Sequence, residues 1–191
     1  MRRSRIAVAL LATLAVVVGF SGSPALAIEL RLVPDSSRVE YHITHSISDV
    51  TDVAGRASGR VQIDASNTSV QAAAVEVDLR ALQTGISKRD AHIKSEEYLN
   101  VARFPTATFA FASAAPDAAT PGTVRVHGKL GLHGVEREVE IPLVLEPRGD
   151  NLRVRGKFTI AFADHGIKRP KKLMFATGKT VDVRVDLLFS P

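Results

Sequence analysis

Residues 124–133 read Val-Arg-Val-His-Gly-Lys-Leu-Gly-Leu-His, and this stretch decides the fold class. Val124, Val126, Gly128, Leu130 and Leu132 share one phase of a period of two, while Arg125, His127, Lys129 and His133 share the other. Successive side chains of an extended chain leave opposite faces, so the pattern describes a strand with one apolar and one wetted side. The rhythm continues toward the C-terminus. Val139, Ile141, Leu143 and Leu145 alternate with Glu138, Glu140 and Glu146, and Leu152, Val154, Phe158, Ile160 and Phe162 with Arg153, Arg155 and Lys157. Val181, Val183, Val185, Leu187 and Phe189 then stand against Asp182, Arg184 and Asp186. Toward the N-terminus, Val39, Tyr41 and Ile43 alternate with Arg38, Glu40 and His42, and Val75, Val77 and Leu79 with Glu76, Asp78 and Arg80.

With the stretches near 55–65 and 106–114, the count is about eight strands joined by short Gly, Pro or Asp turns, an all-β chain. One face of each strand meets water. A two-sheet sandwich and a closed barrel both satisfy that pattern. Residues 85–104 break it and read as a turn with one or two short helices, Ser95 before Glu96 and Glu97 marking a helix start. Phe104-Pro105 returns the chain to strand.

The first residues carry a different signal. Arg2, Arg3 and Arg5 precede an apolar run from Ile6 to Phe20, followed by Ser-Gly-Ser-Pro-Ala-Leu-Ala at 21–27. A basic start, a short apolar core and a small-x-small ending are the parts of a secretory signal, with cleavage expected after Ala27. Residues 28–191 then form one exported domain, periplasmic or secreted, with no stable membrane span after cleavage. The chain contains no cysteine, so burial rather than disulfides must hold that domain together. Residues 28–191 carry 22 Lys+Arg against 20 Asp+Glu, too even a balance to indicate nucleic acid as a partner.

The candidate chemical motifs are weak. His42 and His45 lie three apart in a strand and leave opposite faces, while His127 and His133 share a face roughly 20 Å apart; neither pair suits a metal. No Gly-x-Ser-x-Gly elbow is present. Arg89-Asp90-x-His92 looks the most catalytic, since a carboxylate can orient an imidazole base. The same residues serve equally as caps and ion pairs fixing the helical insert, which is the reading preferred here. Arg148-Gly149-Asp150 and Asn67-Thr68-Ser69 read as turns, and Lys168-Arg169-Pro170-Lys171-Lys172 as a basic loop able to meet an anionic head group.

The order of these pieces resembles one family. Asp35-Ser36-Ser37-x-Val39-x-Tyr41-x-Ile43-x-His45 with Gly55 and Gly59 is similar to the start of the YceI-like family. Thr84-Gly85-x3-Arg89-Asp90-x-His92-Ile93-x-Ser95, running to Tyr98-Leu99 and Phe104-Pro105-x-Ala107-Thr108-Phe109, is similar to its most distinctive stretch. Gly128-x-Leu130-x-Leu132-His133-Gly134-Val135 and Asp164-His165-Gly166-Ile167 complete the series. Arg56 departs from it, standing where the family usually carries phenylalanine.

The resemblance implies a lipocalin-like antiparallel barrel of about eight strands that holds a polyisoprenoid or other long-chain lipid, for storage or transport across the periplasm. Such a carrier needs no cofactor, no metal and no catalytic residue. On that reading the lumen is lined by Val39, Tyr41 and Ile43, by Phe109, Leu130 and Leu132, and by Phe158, Ile160, Phe162 and Val185, with His45 as a polar contact. Two other readings stay open: an enzyme acting on such lipids through Asp90 and His92, and a filled barrel that serves as a surface for other proteins. The alternation suits a monomer and a homodimer equally.

Overall fold

The computed structural model describes residues 27–44, 49–65, 69–168, 171–172, 175–176 and 178–191. Its strands are β1 (Ala27–Leu32), β2 (Arg38–Thr44), β3 (Asp49–Val53), β4 (Arg56–Asp64), β5 (Val70–Asp78), β6 (Thr106–Pro116), β7 (Thr123–Leu132) and β8 (Val135–Arg148). They continue with β9 (Asn151–Ala161), β10 (Lys171–Lys172), β11 (Phe175–Ala176) and β12 (Thr180–Ser190), and the single α-helix among the described residues is α1 (Ser87–Lys94). Residues 1–26, which hold nearly all of the expected signal, lie outside the described residues, as do His45, Asn67, Thr68, Arg169 and Pro170.

The main sheet is antiparallel and closes on itself, in the order β1-β4-β5-β6-β7-β8-β9-β12, with β12 paired back to β1. Beyond β1, β12 also pairs with β2, and β2 with β3. The chain therefore makes eight passes around the barrel, two of them kinked: β1 runs on into β2, and β3 into β4. Of the two architectures the alternation allows, the barrel is the one formed. It leaves no open edge in the ring.

Each kink has a local cause. Between β1 and β2 the chain makes a 3-10 turn at Pro34–Ser36, and Pro34 has no N–H to give the ladder. β12 stays satisfied across the gap, because the Leu188 carbonyl accepts from Val33 N–H at 2.8 Å and Leu188 N–H donates to Ser37 Oγ at 3.0 Å. Between β3 and β4, a Cβ on Gly55 would lie 2.3 Å from the Asp78 carbonyl oxygen, so only glycine lets the strands approach. The β7–β8 hairpin turns on two residues with positive φ, His133 at 54° and Gly134 at 75°. That combination matches the right-handed twist of the flanking strands.

One end of the barrel, the base, gathers the chain at 27, 64–65, 69–70, 116–123, 148–151 and 190. It is packed shut: Leu30 and Leu152 are fully buried beside Ile63, Leu187 and Phe189. At the other, capped end sit the paired ends of β2 and β3 at Thr44 and Asp49, the β7–β8 turn, the long connection 79–104, and the segment that leaves β9 at Phe162. Val53 forms an isolated bridge with Gln83, so the connection lies against β3 where β5 has already ended. A second cluster forms there from Tyr41, Leu82 and Val181, with Ile93, Leu99 and Phe162 packed against it.

The helix start expected at Ser95 is corrected. Ser95 ends α1 instead, its hydroxyl donating to the His92 carbonyl at 2.7 Å. Serine caps either end of a helix through local bonds to the backbone, and here the preceding turn claims it.

Candidate functional site

An elongated cavity of about 260 Å³ runs inside the barrel. On β12 alone, Val181, Val183, Val185, Leu187 and Phe189 all reach it. Eight residue steps of strand at a barrel tilt amount to roughly 20 Å along the axis. The volume sits just under the roughly 300–1,000 Å³ of a typical ligand pocket. A cavity that long and that small is narrow, fitted to a slender chain rather than to a broad ring system.

The lining follows from the alternation, which turns every second residue inward. From β2 come Val39, Tyr41 and Ile43, and from β6 Phe109. From β7 come Leu130 and Leu132; Phe158, Ile160 and Phe162 come from β9 and its exit, and Val185 from β12. The structure thus brings all ten described residues of the expected lining around one lumen. The eleventh, His45, lies outside the described residues. Val39, Tyr41 and Leu130 are buried, while Ile43, Phe109, Leu132, Phe158, Ile160, Phe162 and Val185 are only half-buried although they face inward. Half-buried apolar groups inside a closed sheet border a space that no neighbour fills.

Sequence reasoning missed the roof. Leu82, Ile93, Tyr98 and Leu99 of the connection also line the cavity, and Ile167 joins them from the segment after β9. They are the apolar minority of a polar segment, and no period of two or of 3.6 marks them. Their one signal is that each is too large and apolar to stand in water on a short connection.

The electrostatics of the lumen are simple. Among the described residues its lining contains no carboxylate, imidazole, ammonium or guanidinium; Tyr41 and Tyr98 are the titratable members found there, and Thr108 the one other hydroxyl. Burial pushes the Tyr98 phenol up from its ordinary value, with Glu97 adding to the effect. Among the described residues no group of three or more His, Cys, Asp or Glu side chains is placed to hold a metal ion.

Gly128 shapes the wall. A Cβ there would lie 2.5 Å from the Phe109 ring and 2.5 Å from the Ala110 carbonyl oxygen. The glycine therefore opens the space in which Phe109 lies across the inner face of β7. Arg56, the departure from the family pattern, points outward to Asp35 at 3.4 Å, and the small Ala57 takes the buried position beside it.

The connection is locked by Arg89 and Asp90. The Asp90 carboxylate accepts from the Thr84 backbone N–H at 2.8 Å and also from its hydroxyl, while Arg89 Nη2 donates to the Thr84 carbonyl at 2.7 Å. The hydroxyl bond holds Asp90 below the usual carboxylate range, and the backbone N–H, Lys94 and Arg89 lower it further. His92 turns elsewhere. Its ring meets Tyr98 edge-on at 4.8 Å, and Nε2 lies 3.7 Å from Glu97. Asp90 is committed to Thr84 rather than to orienting His92, so the two do not form a base and its orienter.

His127, His133 and His165 make structural contacts. His127 Nε2 lies 3.3 Å from Glu140 on the outer face. His165, almost wholly buried, places Nδ1 3.1 Å from the Val135 carbonyl, and His133 Nδ1 lies 3.1 Å from the His165 carbonyl. These bonds tie the β7–β8 turn to the segment that follows β9.

An eight-stranded antiparallel barrel with a packed base, a roofed end and an apolar lumen is of the lipocalin-like class. Within that class this chain belongs to the YceI-like family, whose domain matches residues 30–189. Protein YceI of Salmonella newport (strain SL254) is 30% identical over 135 residues, 69% of this chain and 69% of that protein. A UPF0312 protein of Enterobacter sp. (strain 638) is 33% identical over 93 residues, so that match spans about half of each chain, 49% and 47%. Among solved structures, Burkholderia cenocepacia BcnA superposes with a TM-score of 0.73 at 17% identity, covering 82% of this chain and 98% of that one. A polyisoprenoid binding domain from Saccharophagus degradans superposes with a TM-score of 0.67 at 19% identity, covering 84% and 97%. At those identities the likeness is one of fold.

Proposed function

We propose that this chain is an exported, soluble carrier that holds one long apolar lipid, a polyisoprenoid or similar chain, along the barrel lumen. The observation that carries the reading is the lumen itself: long, narrow, packed at the base and, among the described residues, free of charged side chains. Each methylene moved from water into such a lining contributes about 0.8 kcal/mol, so affinity grows with tail length. Val39, Tyr41, Ile43, Phe109, Leu130, Leu132, Phe158, Ile160, Phe162 and Val185 are the proposed contacts along the tail, and His45 a proposed polar contact. The polyisoprenoid binding named for the Saccharophagus domain supports the same class of guest. Periplasmic storage or transport follows from the signal at residues 1–27, and the binding role involves no bond made or broken. No helix among the described residues is long and apolar enough to cross a membrane.

The test is to purify residues 28–191, extract with organic solvent and analyse the extract by mass spectrometry. A recurrent long-chain lipid at about one per barrel is expected. A lumen that is empty in every preparation and takes up no added polyprenol would overturn the reading.

A further inference from the structure

The lumen ends where lining gives way to packing. Phe189 and Leu152 are register partners on β12 and β9, 3% and 0% exposed, and both reach the cavity. Leu30, Leu32 and Ile63 of β1 and β4 are buried in the same cluster and do not reach it. Leu32 pairs directly with Phe189, so the residues that stop the cavity stand against those that floor it. Two residues up the wall, Leu187 pairs with Val154, and Val154 with the half-buried Leu145 of β8; all three line the space. The floor is thus a defined step, with Leu152 and Phe189 as its surface and Leu30, Leu32 and Ile63 behind it.

The distance above that floor has a chemical length. On β12 the lining runs from Phe189 to Val181, roughly 20 Å along the barrel axis. Carbon–carbon bonds of about 1.52 Å at angles of about 111° advance an extended chain by about 1.25 Å per atom, so the lumen spans about sixteen backbone carbons. A cavity of 260 Å³ spread over that length has room for one chain at each level and none for a chain doubled back on itself. Successive inward residues of one strand lie about 5 Å apart along the axis, the reach of about four carbons or one isoprene unit. The phenols of the lining, Tyr41 and Tyr98, belong to the capped end, so the apolar tip of a guest is the part that meets the floor.

We propose that Leu152 and Phe189 set the length of the guest, a single chain of about sixteen backbone carbons, which is about four isoprene units or one acyl chain of the same reach. This rests on the carrier reading and narrows it. A longer chain leaves its excess in water, and each methylene so exposed forfeits about a four-fold factor in affinity. The test offers the purified mature protein two ladders in phosphatidylcholine vesicles, all-trans prenols of two to eight units and straight-chain alkanols of twelve to twenty-four carbons. Bound chains are counted by mass spectrometry after the protein is re-isolated. Uptake relative to vesicle content should stay level up to about sixteen backbone carbons and fall about four-fold with each further methylene. Uptake confined to one ladder, with that break, supports the limit and assigns the guest to isoprenoids or to acyl chains.

Variants of the floor should move the break. Phe189→Ala opens the lumen toward Leu32 and should lengthen the longest chain held by about two to four carbons, at most one step of the wall, and Phe189→Leu by less. Leu145→Phe fills the step above the floor and should shorten it by a similar amount. Phe189→Leu and Leu145→Phe keep a large apolar side chain and carry the test if thermal melts show Phe189→Ala to be unfolded. Uptake that stays level to the top of both ladders, a break outside about twelve to twenty backbone carbons, or a break that no folded variant moves overturns the proposal and leaves the carrier reading standing. No uptake of any chain overturns both.

Discussion

The Asp90 carboxylate holds Thr84 by two of its groups, the backbone N–H at 2.8 Å and the hydroxyl, across six residues of the connection that roofs the lumen. Thr84 is buried, and Leu82 just before it is one of the most buried side chains of the roof cluster. The pair therefore fixes the course of the chain between the wall residue Gln83 and α1. Asp90→Ala removes an acceptor and leaves the Thr84 donors inside the roof without it. Amide exchange at 82–90 is expected to accelerate in that variant, with much less change in β7–β9. Equal acceleration throughout would show that the bond supports the whole barrel instead.

Acid should reproduce that effect in the unaltered protein. The folded-state value of Asp90 is depressed, so its contribution to stability is complete above the unfolded carboxylate value of about 3.9 and is lost as pH falls through the folded value. The difference in exchange between the protein and Asp90→Ala should stay constant from neutral pH down to about 4 and shrink below it. A difference that already varies between pH 6 and 8 would implicate another group.

Packing and lining can be separated by substitution. Leu30 is 1% exposed in the packed base and does not reach the lumen, whereas Phe109 borders the lumen and is only half-buried. Leu30→Ala should cost about 2–5 kcal/mol by urea denaturation. Phe109→Ala should cost less in the absence of lipid, because its ring has fewer packing partners to lose, and should weaken lipid uptake more. The reverse order in either measurement would place the guest elsewhere.

Gly128 and Phe109 form a coupled pair. Gly128→Ala puts a Cβ at 2.5 Å from the Phe109 ring, and overpacking of this kind costs about 1–3 kcal/mol. With Phe109 already reduced to alanine, part of that cost should vanish, and the coupling read from a double-mutant cycle should exceed about 0.5 kcal/mol. Additive effects would assign the whole cost to the Ala110 carbonyl oxygen, which lies equally close.

The barrel wall was legible in the sequence because nearly every inward position from Val124 to Leu145 is apolar and its neighbours are charged or polar. The alternation fails at the kinks. Val33-Pro34 and Ala54-Gly55 break phase, so β1 and β3 did not stand out as separate strands. Leu30 and Leu32 alone mark β1, and Ala72-Ala73-Ala74 conceals the start of β5 because alanine suits either face. The closed ring was not readable from alternation, which a sandwich satisfies equally; it depends on β12 being long enough to pair with β1, β2 and β9 at once. The roof residues were hidden because they sit on a connection whose backbone, not its periodicity, aims them inward.

On the outer face, Arg153 grips Asp186 through two bonds of 2.6 and 2.9 Å, and Arg155 approaches the same carboxylate at 3.5 Å. The Arg153 bond holds Asp186 below the usual carboxylate range. Both partners remain about one-third exposed, so water screens the attraction. Asp186→Ala should therefore cost no more than about 1 kcal/mol at low salt and less at high salt. Its neighbour Val185 has the opposite role one residue away, since alternation turns it into the lumen between Val39 and Gly156. Val185→Trp should fill part of the cavity, displace lipid and leave the melting temperature near or above that of the empty protein, because the added ring enters free space. Adjacent substitutions would then separate the two faces of one strand, Asp186→Ala changing stability slightly without altering uptake and Val185→Trp abolishing uptake in a folded barrel. Uptake unaffected by Val185→Trp would mean that the tail does not pass this point of the lumen.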